Sequence, residues 1–342
     1  MGNSWSGSAG CERAARRYMT RMTAPRPPDA AGLRLDWSDV PERACAAVED
    51  RLGSPVLSAV SQSAGFSPGV AARLRTEDGR RFFAKAAGPE PNPLTPAAHR
   101  REARVAALPE DAPVPRFLFS HDEGEGDWIV GLFEDVEGRN PAVPWRPGEL
   151  DRTLDALASL SELLTPSPLP PGLVGVIGDW EVTCGWHWRK LTEERPARLD
   201  AWSARHLDEL AGLEAEAPAA AKGGTLLHLD LRADNLLLTP DDRVLVVDWP
   251  HARGGASWVD AVFFAPSVAM QGGPPPEELL THLPHSRQAD PEALTAVVAA
   301  VAGFFTREGL QSALPGLPTL RPFQESQGEV ARGWLARRTG WR

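Results

Sequence analysis

The stretch Leu226–Trp249, LLHLDLRADNLLLTPDDRVLVVDW, decides how the rest of the chain is read. It sets one histidine, one asparagine and five aspartates among leucines and valines. NLLLT and RVLVVD are apolar runs on either side of PDD, a turn-forming cluster, and they predict an antiparallel hairpin. A hairpin centred on Asp241-Asp242 places Asn235 opposite Asp248, with Cα atoms about 4.5–5.5 Å apart. A carboxylate and an amide oxygen side by side can share one Mg²⁺ site, completed by phosphate oxygens and water. Asp230 lies in the loop that enters the first strand. A carboxylate there can accept the proton of a substrate hydroxyl while the metal holds the phosphates.

A phosphate-transfer site also needs cations and backbone donors. In RFFAKAA, strand alternation turns Phe83 and Lys85 to one face and Phe82 and Ala84 to the other. Lys85 then stands among apolar neighbours, where an unpaired ammonium is costly. On the next predicted helix, Ala98, Glu102 and Val105 share one face. Glu102 is therefore the expected partner of Lys85. Upstream, SAGFSPG (63–69) lies between two strand-like runs, and its glycines and serines, Ser67 among them, let backbone N–H groups approach a phosphate.

HLDLRADN and VVDW resemble the catalytic and metal-binding motifs of the aminoglycoside phosphotransferase family, whose fold is shared with protein kinases. The resemblance covers about residues 55–310. It implies that Asp230 is the catalytic base, that Asn235 and Asp248 hold Mg²⁺, and that His228 supports the loop. It implies too that Lys85, positioned by Glu102, meets the phosphates of ATP or GTP. SAGFSPG looks like the family's nucleotide loop, and LFEDVEG resembles its hinge, with the backbone near Glu134 to Val136 meeting the base. One residue departs from the pattern: Leu229 stands where the family usually has glycine. The short DWPHARGGASWVD segment leaves no room for a protein-kinase activation loop and is followed by no A-P-E motif. Asp260, which opens the next helix, is expected to anchor the catalytic loop.

The fold class expected is α+β and two-lobed, protein-kinase-like. Residues 1–32 are expected to be a disordered extension, 33–135 a nucleotide-binding lobe of antiparallel sheet with one key helix, and 136–342 a larger helical lobe. Strands are read near Val56–Gln62, Val70–Thr76, Arg81–Ala87, Arg116–His121 and Trp128–Glu134. Thr95 is read as a helix cap followed by proline at the first helical position. The first six residues match a weak acylation pattern. At 342 residues and 42% hydrophobic the chain can bury a large core. No apolar run approaches the roughly 20 residues of a bilayer span, and the three cysteines suggest neither a disulfide framework nor a zinc site. A cytoplasmic setting is expected.

Net charge is −10, and residues 151–342, with 17 Lys+Arg against 25 Asp+Glu, carry −8 of it. That field disfavours nucleic acid and suits a cationic small ligand. The acceptor is expected to be a small hydroxyl compound, an antibiotic or related natural product, bound by the helical lobe. GDWEVTCGWHWRKL (178–191) could give that acceptor an aromatic wall, although packing is the commoner use of such residues. A metabolic kinase of choline, amino alcohols or sugars is the alternative within the fold. A non-catalytic nucleotide-binding module is the alternative outside it.

Overall fold

The computed structural model describes residues 30–63, 65–105 and 108–342. Residues 1–29, with the acylation pattern and most of the expected extension, lie outside the described residues. Residues 30–32 correct that expectation, because they are built into the fold. Gly65 donates its amide to the Ala30 carbonyl at 3.1 Å, and Thr319 Oγ1 donates to the Ala31 carbonyl at 2.9 Å.

The N-terminal lobe is one sheet. Its strands are β1 (Arg34–Leu35), β2 (Val56–Ser61), β3 (Gly69–Thr76), β4 (Arg81–Ala87), β5 (Phe117–Asp122) and β6 (Ile129–Glu134). They run in the order β1-β3-β4-β6-β5, with β2 also paired to β3. All pairs are antiparallel except β1–β3. The β3–β4 turn closes at Gly79, whose φ of +85° a side chain would strain. Alternation divides the sheet. Ala72, Leu74, Phe82, Ala84, Ala86, Val130 and Leu132 bury against Ala44, Val48 and Leu52 of the helix Glu42–Leu52. The opposite face carries Ala71, Arg73, Phe83, Lys85 and Phe133 to the cleft between the lobes.

The helix Thr95–Arg104 packs against β4 and β6. Its cap differs from the expectation. Thr95 is buried as the first helical residue, Pro96 follows it, and Leu94 takes the boundary position without a side-chain cap. Asn92 supplies the acceptors instead, its Oδ1 to the Leu94 amide at 2.9 Å and its carbonyl to the Thr95 amide at 3.1 Å. Val105, just past this helix, inserts into the core of the other lobe.

That second core is larger and helical. The helix Pro291–Leu310 runs through its middle, packed on Leu207–Ala220 and Leu320–Thr339. It is long and apolar enough to cross a membrane by length and composition, contrary to the sequence reading, but 67% of its apolar window is buried within the lobe. Four short strands complete the lobe: β7 (Thr225–Leu227), β8 (Leu236–Leu238), β9 (Val244–Val246) and β10 (Arg253–Gly255). β7 pairs with β10 and β8 with β9, both antiparallel. The connections β7–β8 and β9–β10 are therefore two neighbouring loops, and they hold the motif residues.

Candidate active site

The β8–β9 hairpin forms, one residue out of the expected register. Leu236 faces Val246 and Leu238 faces Val244, so Asn235 falls opposite Val247 rather than Asp248. The cause is the turn. Asp242 adopts φ +64°, and the Thr239 amide pairs with the Arg243 carbonyl at 3.0 Å, closing a three-residue loop where a two-residue one was expected. Asp248 is instead turned by its own left-handed backbone, φ +69°. Asn235 and Asp248 still line one cavity of about 680 Å³ between the lobes, together with Ser67, Lys85, Glu102, Glu134 and Val136.

Lys85 bridges the lobes. Its Nζ lies 2.8 and 2.9 Å from the Glu102 carboxylate and 2.7 Å from Asp248 Oδ1. Burial works against charge on both acids and on the lysine, yet the mutual attraction wins. It raises the Lys85 pKa and holds the Glu102 and Asp248 carboxyls below the usual range. Glu102 Oε1 also accepts the Trp249 amide at 3.3 Å, and Arg101 Nε donates to the Pro250 carbonyl at 3.0 Å, so this helix grips the segment after β9 directly.

The loop after β7 is held from beneath. Asp260 Oδ2 and Oδ1 accept the amides of His228 and Leu229 at 2.9 and 2.7 Å. His228 is fully buried; its Nε2 donates to the Val247 carbonyl at 2.9 Å, and its Nδ1 accepts the Asp230 amide at 3.1 Å. Burial pushes its pKa down to about 4, so the ring is neutral and serves as a two-sided spacer between the loops. Leu229 has φ +65°. A glycine would adopt that conformation freely, whereas a leucine there costs about 1–2 kcal/mol. Burial of its side chain and the clamp from Asp260 hold it.

Asp230 follows, its two oxygens held by different partners. Arg232 pairs with Oδ1, and Asn235 Nδ2 donates to Oδ2 at 3.1 Å and to the Asp230 carbonyl at 2.8 Å. Burial pushes this carboxyl up to about 7, opposed by Arg232 and reinforced by Asp248 and Asp234. Arg232 also forks onto Asp234, Nε to Oδ1 at 3.0 Å and Nη2 to Oδ2 at 2.9 Å. Neither Arg232 nor Asn140 was singled out from the sequence. Asn140 Nδ2 donates to the carbonyls of Asp234 and Leu236 at 3.1 and 2.8 Å, pinning the interlobe connector to the loop. The one sequence signal for Arg232 is its place two residues from each of two acids.

At the other end of the cavity the Glu134 amide is taken by the Arg116 carbonyl at 2.9 Å, and the Val136 carbonyl accepts Arg73 Nη2 at 3.1 Å. The tryptophans of 178–191 separate by role. Trp188 is core, its Nε1 donating to the Ala299 carbonyl at 2.8 Å. Trp180 is half-buried beside His251 and Phe263, and Trp186 is exposed.

Residues 63–297 match the profile of the phosphotransferase enzyme family. The chain belongs to that family. No curated protein matches the sequence. Among solved structures, an aminoglycoside phosphotransferase from Alicyclobacillus acidocaldarius is similar at 20% identity and TM-score 0.50, covering 84% of this chain and 94% of its own. Aminoglycoside phosphotransferase APH(4)-Ia is similar at 17% identity and TM-score 0.57, covering 86% and 97%. APH(2")-IIIa, solved with GDP and kanamycin, is similar at 15% identity and TM-score 0.54, again covering 86% and 97%. At these identities the likeness shows a shared fold, the two-lobed kinase-like one. In this phosphotransferase Lys85, Glu102, Asn235 and Asp248 line one interlobe cleft, and Asp230 stands behind Asn235, bonded to its amide.

Proposed function

We propose that this phosphotransferase moves the γ-phosphoryl group of MgATP, or of GTP, to a hydroxyl of a small molecule, an antibiotic or related natural product. The observation that carries the reading is the Lys85 ammonium held between Glu102 and Asp248 in the wall of a cavity of about 680 Å³. A cation fixed there meets the triphosphate, and Ser67 with the rest of SAGFSPG offers backbone donors above it. The base stacks between the lobes beside Glu134 and Val136.

The donor set fits Mg²⁺. Asn235 spends its amide nitrogen on Asp230, which leaves Oδ1 as the group it presents. Asp248 is ionised and has Oδ2 beyond its contact with Lys85. Two hard oxygens completed by phosphate and water suit this ion. When bound, Mg²⁺ neutralises charge that develops on the transferring phosphoryl group. Asp230 accepts the proton of the acceptor hydroxyl, whose oxygen attacks the γ-phosphorus as the bond to the β-phosphate oxygen breaks. The cytoplasm, where nucleoside triphosphates are made, is the fitting compartment. The neighbours solved with kanamycin and, in a mutant of APH(4)-Ia, with ADP and hygromycin B support an aminoglycoside or similar polyol as first choice of acceptor. A mass-spectrometric screen of aminoglycosides, peptide and nucleoside antibiotics and amino alcohols tests this. The expected result is a product heavier by one phosphoryl group. Retention of that activity by Asp230→Ala would remove the base assignment.

A further inference from the structure

Among the described residues Arg232 is the cation paired with Asp230, and two rings share with Asp234 the task of holding it there. Its guanidinium carbon lies 5.1 Å from the ring centroid of Phe66 and 5.8 Å from that of Phe323. The two rings meet edge to face at 5.2 Å. Phe66 belongs to the nucleotide loop of the N-terminal lobe, and Phe323 to the last long helix of the other lobe. With Leu317 they form a separate small apolar cluster that bridges the lobes. A guanidinium is weakly hydrated and planar, so an aromatic seat suits it far better than it suits an ammonium.

The loop that carries Phe66 is itself strapped down. The Gly65 amide bonds to Ala30, Arg34 donates to the Ser67 carbonyl, and the Leu33 amide reaches the Gly316 carbonyl at 2.7 Å. A side chain at Gly32 would collide with the Phe66 carbonyl, 2.8 Å from its Cβ position. Phe66 is therefore placed against Phe323 by backbone contacts on both sides of it.

We propose that Arg232 is a positioning residue for Asp230, and that Phe66 and Phe323, one from each lobe, aim it, so that the alignment of the carboxylate depends on contacts from both lobes. This rests on Asp230 being the base. A carboxylate has about four lone-pair directions. Arg232 on Oδ1 and Asn235 on Oδ2 fix its plane and leave one direction on each oxygen for the incoming hydroxyl. A seat made by both lobes ties that alignment to the packing of Phe66 on Phe323.

The test uses the full chain and slow MgATP hydrolysis, in which water replaces the acceptor. Phe66→Leu and Phe323→Leu keep apolar volume and remove the aromatic face. Each is expected to lower kcat by about three- to tenfold with KM for MgATP within twofold. Arg232→Lys is expected to lower kcat by more than tenfold, and Phe323→Leu to add little in that background, because one geometry is lost once. Added guanidinium should restore part of the rate of Arg232→Ala, and should do less for the Phe323→Leu/Arg232→Ala double variant. Additive losses, or leucine variants with unchanged kcat, overturn the inference. Should either leucine variant fail to fold, the comparison of guanidinium rescue in Arg232→Ala and in Arg232→Lys decides: equal rescue overturns it. Asp230→Asn separates the two levels. If it retains turnover the base assignment fails; if it loses turnover while the ring variants do not, the positioning inference alone fails.

Discussion

Two loops leave the paired ribbons of the C-terminal lobe side by side, and each turns through a non-glycine residue of positive φ: Leu229 at +65° and Asp248 at +69°. The chemistry of the two turns is opposite. Aspartate visits the left-handed region with little penalty, since its short polar side chain bonds locally. Leucine has no such compensation. The Asp248 turn is therefore cheap, and its side chain meets Lys85. The Leu229 turn is strained and held by its surroundings: Asp260 on the amide, His228 beside it and the core around the side chain. In the proposed reading one loop carries function in the turning residue itself, and the other carries it one residue later and spends stability to aim it.

The largest effect that sharpens this contrast is expected at Asp248. Asp248→Asn keeps a residue that tolerates the turn and leaves Lys85 paired with Glu102, so thermal unfolding should fall only by the loss of one ion pair, while phosphoryl transfer should fall by about a thousandfold with the lost charge. A large drop in the unfolding temperature would show that this turn, too, is structurally held. Next comes Asp260→Ala, which strips two buried amides of their acceptor at once. Denaturant unfolding should show a loss of about 3–5 kcal/mol. A loss below about 1 kcal/mol would mean that Leu229 is held without the clamp.

The third effect depends on pH. The folded pKa of His228 is depressed from 6.5 to about 4, so its contribution is present above 6.5 and is lost as pH falls toward 4. Between pH 7 and pH 5 the stability advantage of the wild type over His228→Gln should shrink by about 2 kcal/mol. A constant difference across that range would place the ring in contact with solvent. Smallest is a pair at Leu229. Glycine normally destabilises relative to alanine, yet here Leu229→Gly should be more stable than Leu229→Ala by about 1 kcal/mol, because only glycine relieves the left-handed strain. The ordinary order, alanine above glycine, would remove the strain from the account.

Much of this site is legible in the chain because its parts obey local periodicities. Lys85 could be turned toward the cleft from strand alternation alone, and Glu102 toward Lys85 from a helix stripe; the structure sets them 2.8 Å apart. The hairpin register was not legible, since PDD can close as two or three residues, and the choice rests on the backbone of Asp242. Arg232 was missed for a different reason. Its importance lies in contacts with Phe66 and Phe323, far away in sequence and in opposite lobes, and nothing local announces them. The Thr95 cap failed because Asn92, three positions earlier, supplies better acceptors. The left-handed turn at 229 was visible only as a departure from the family's glycine.

The two hydrogen bonds from Asn140 to the carbonyls of Asp234 and Leu236 settle where this molecule can bend. Arg139 adds backbone bonds to Leu238 on the same side. The connector from residue 139 onward is thus tied to the C-terminal lobe. Any rocking of the sheet would have its pivot in residues 135–138, so in the proposed reading a bound base would rest at that pivot.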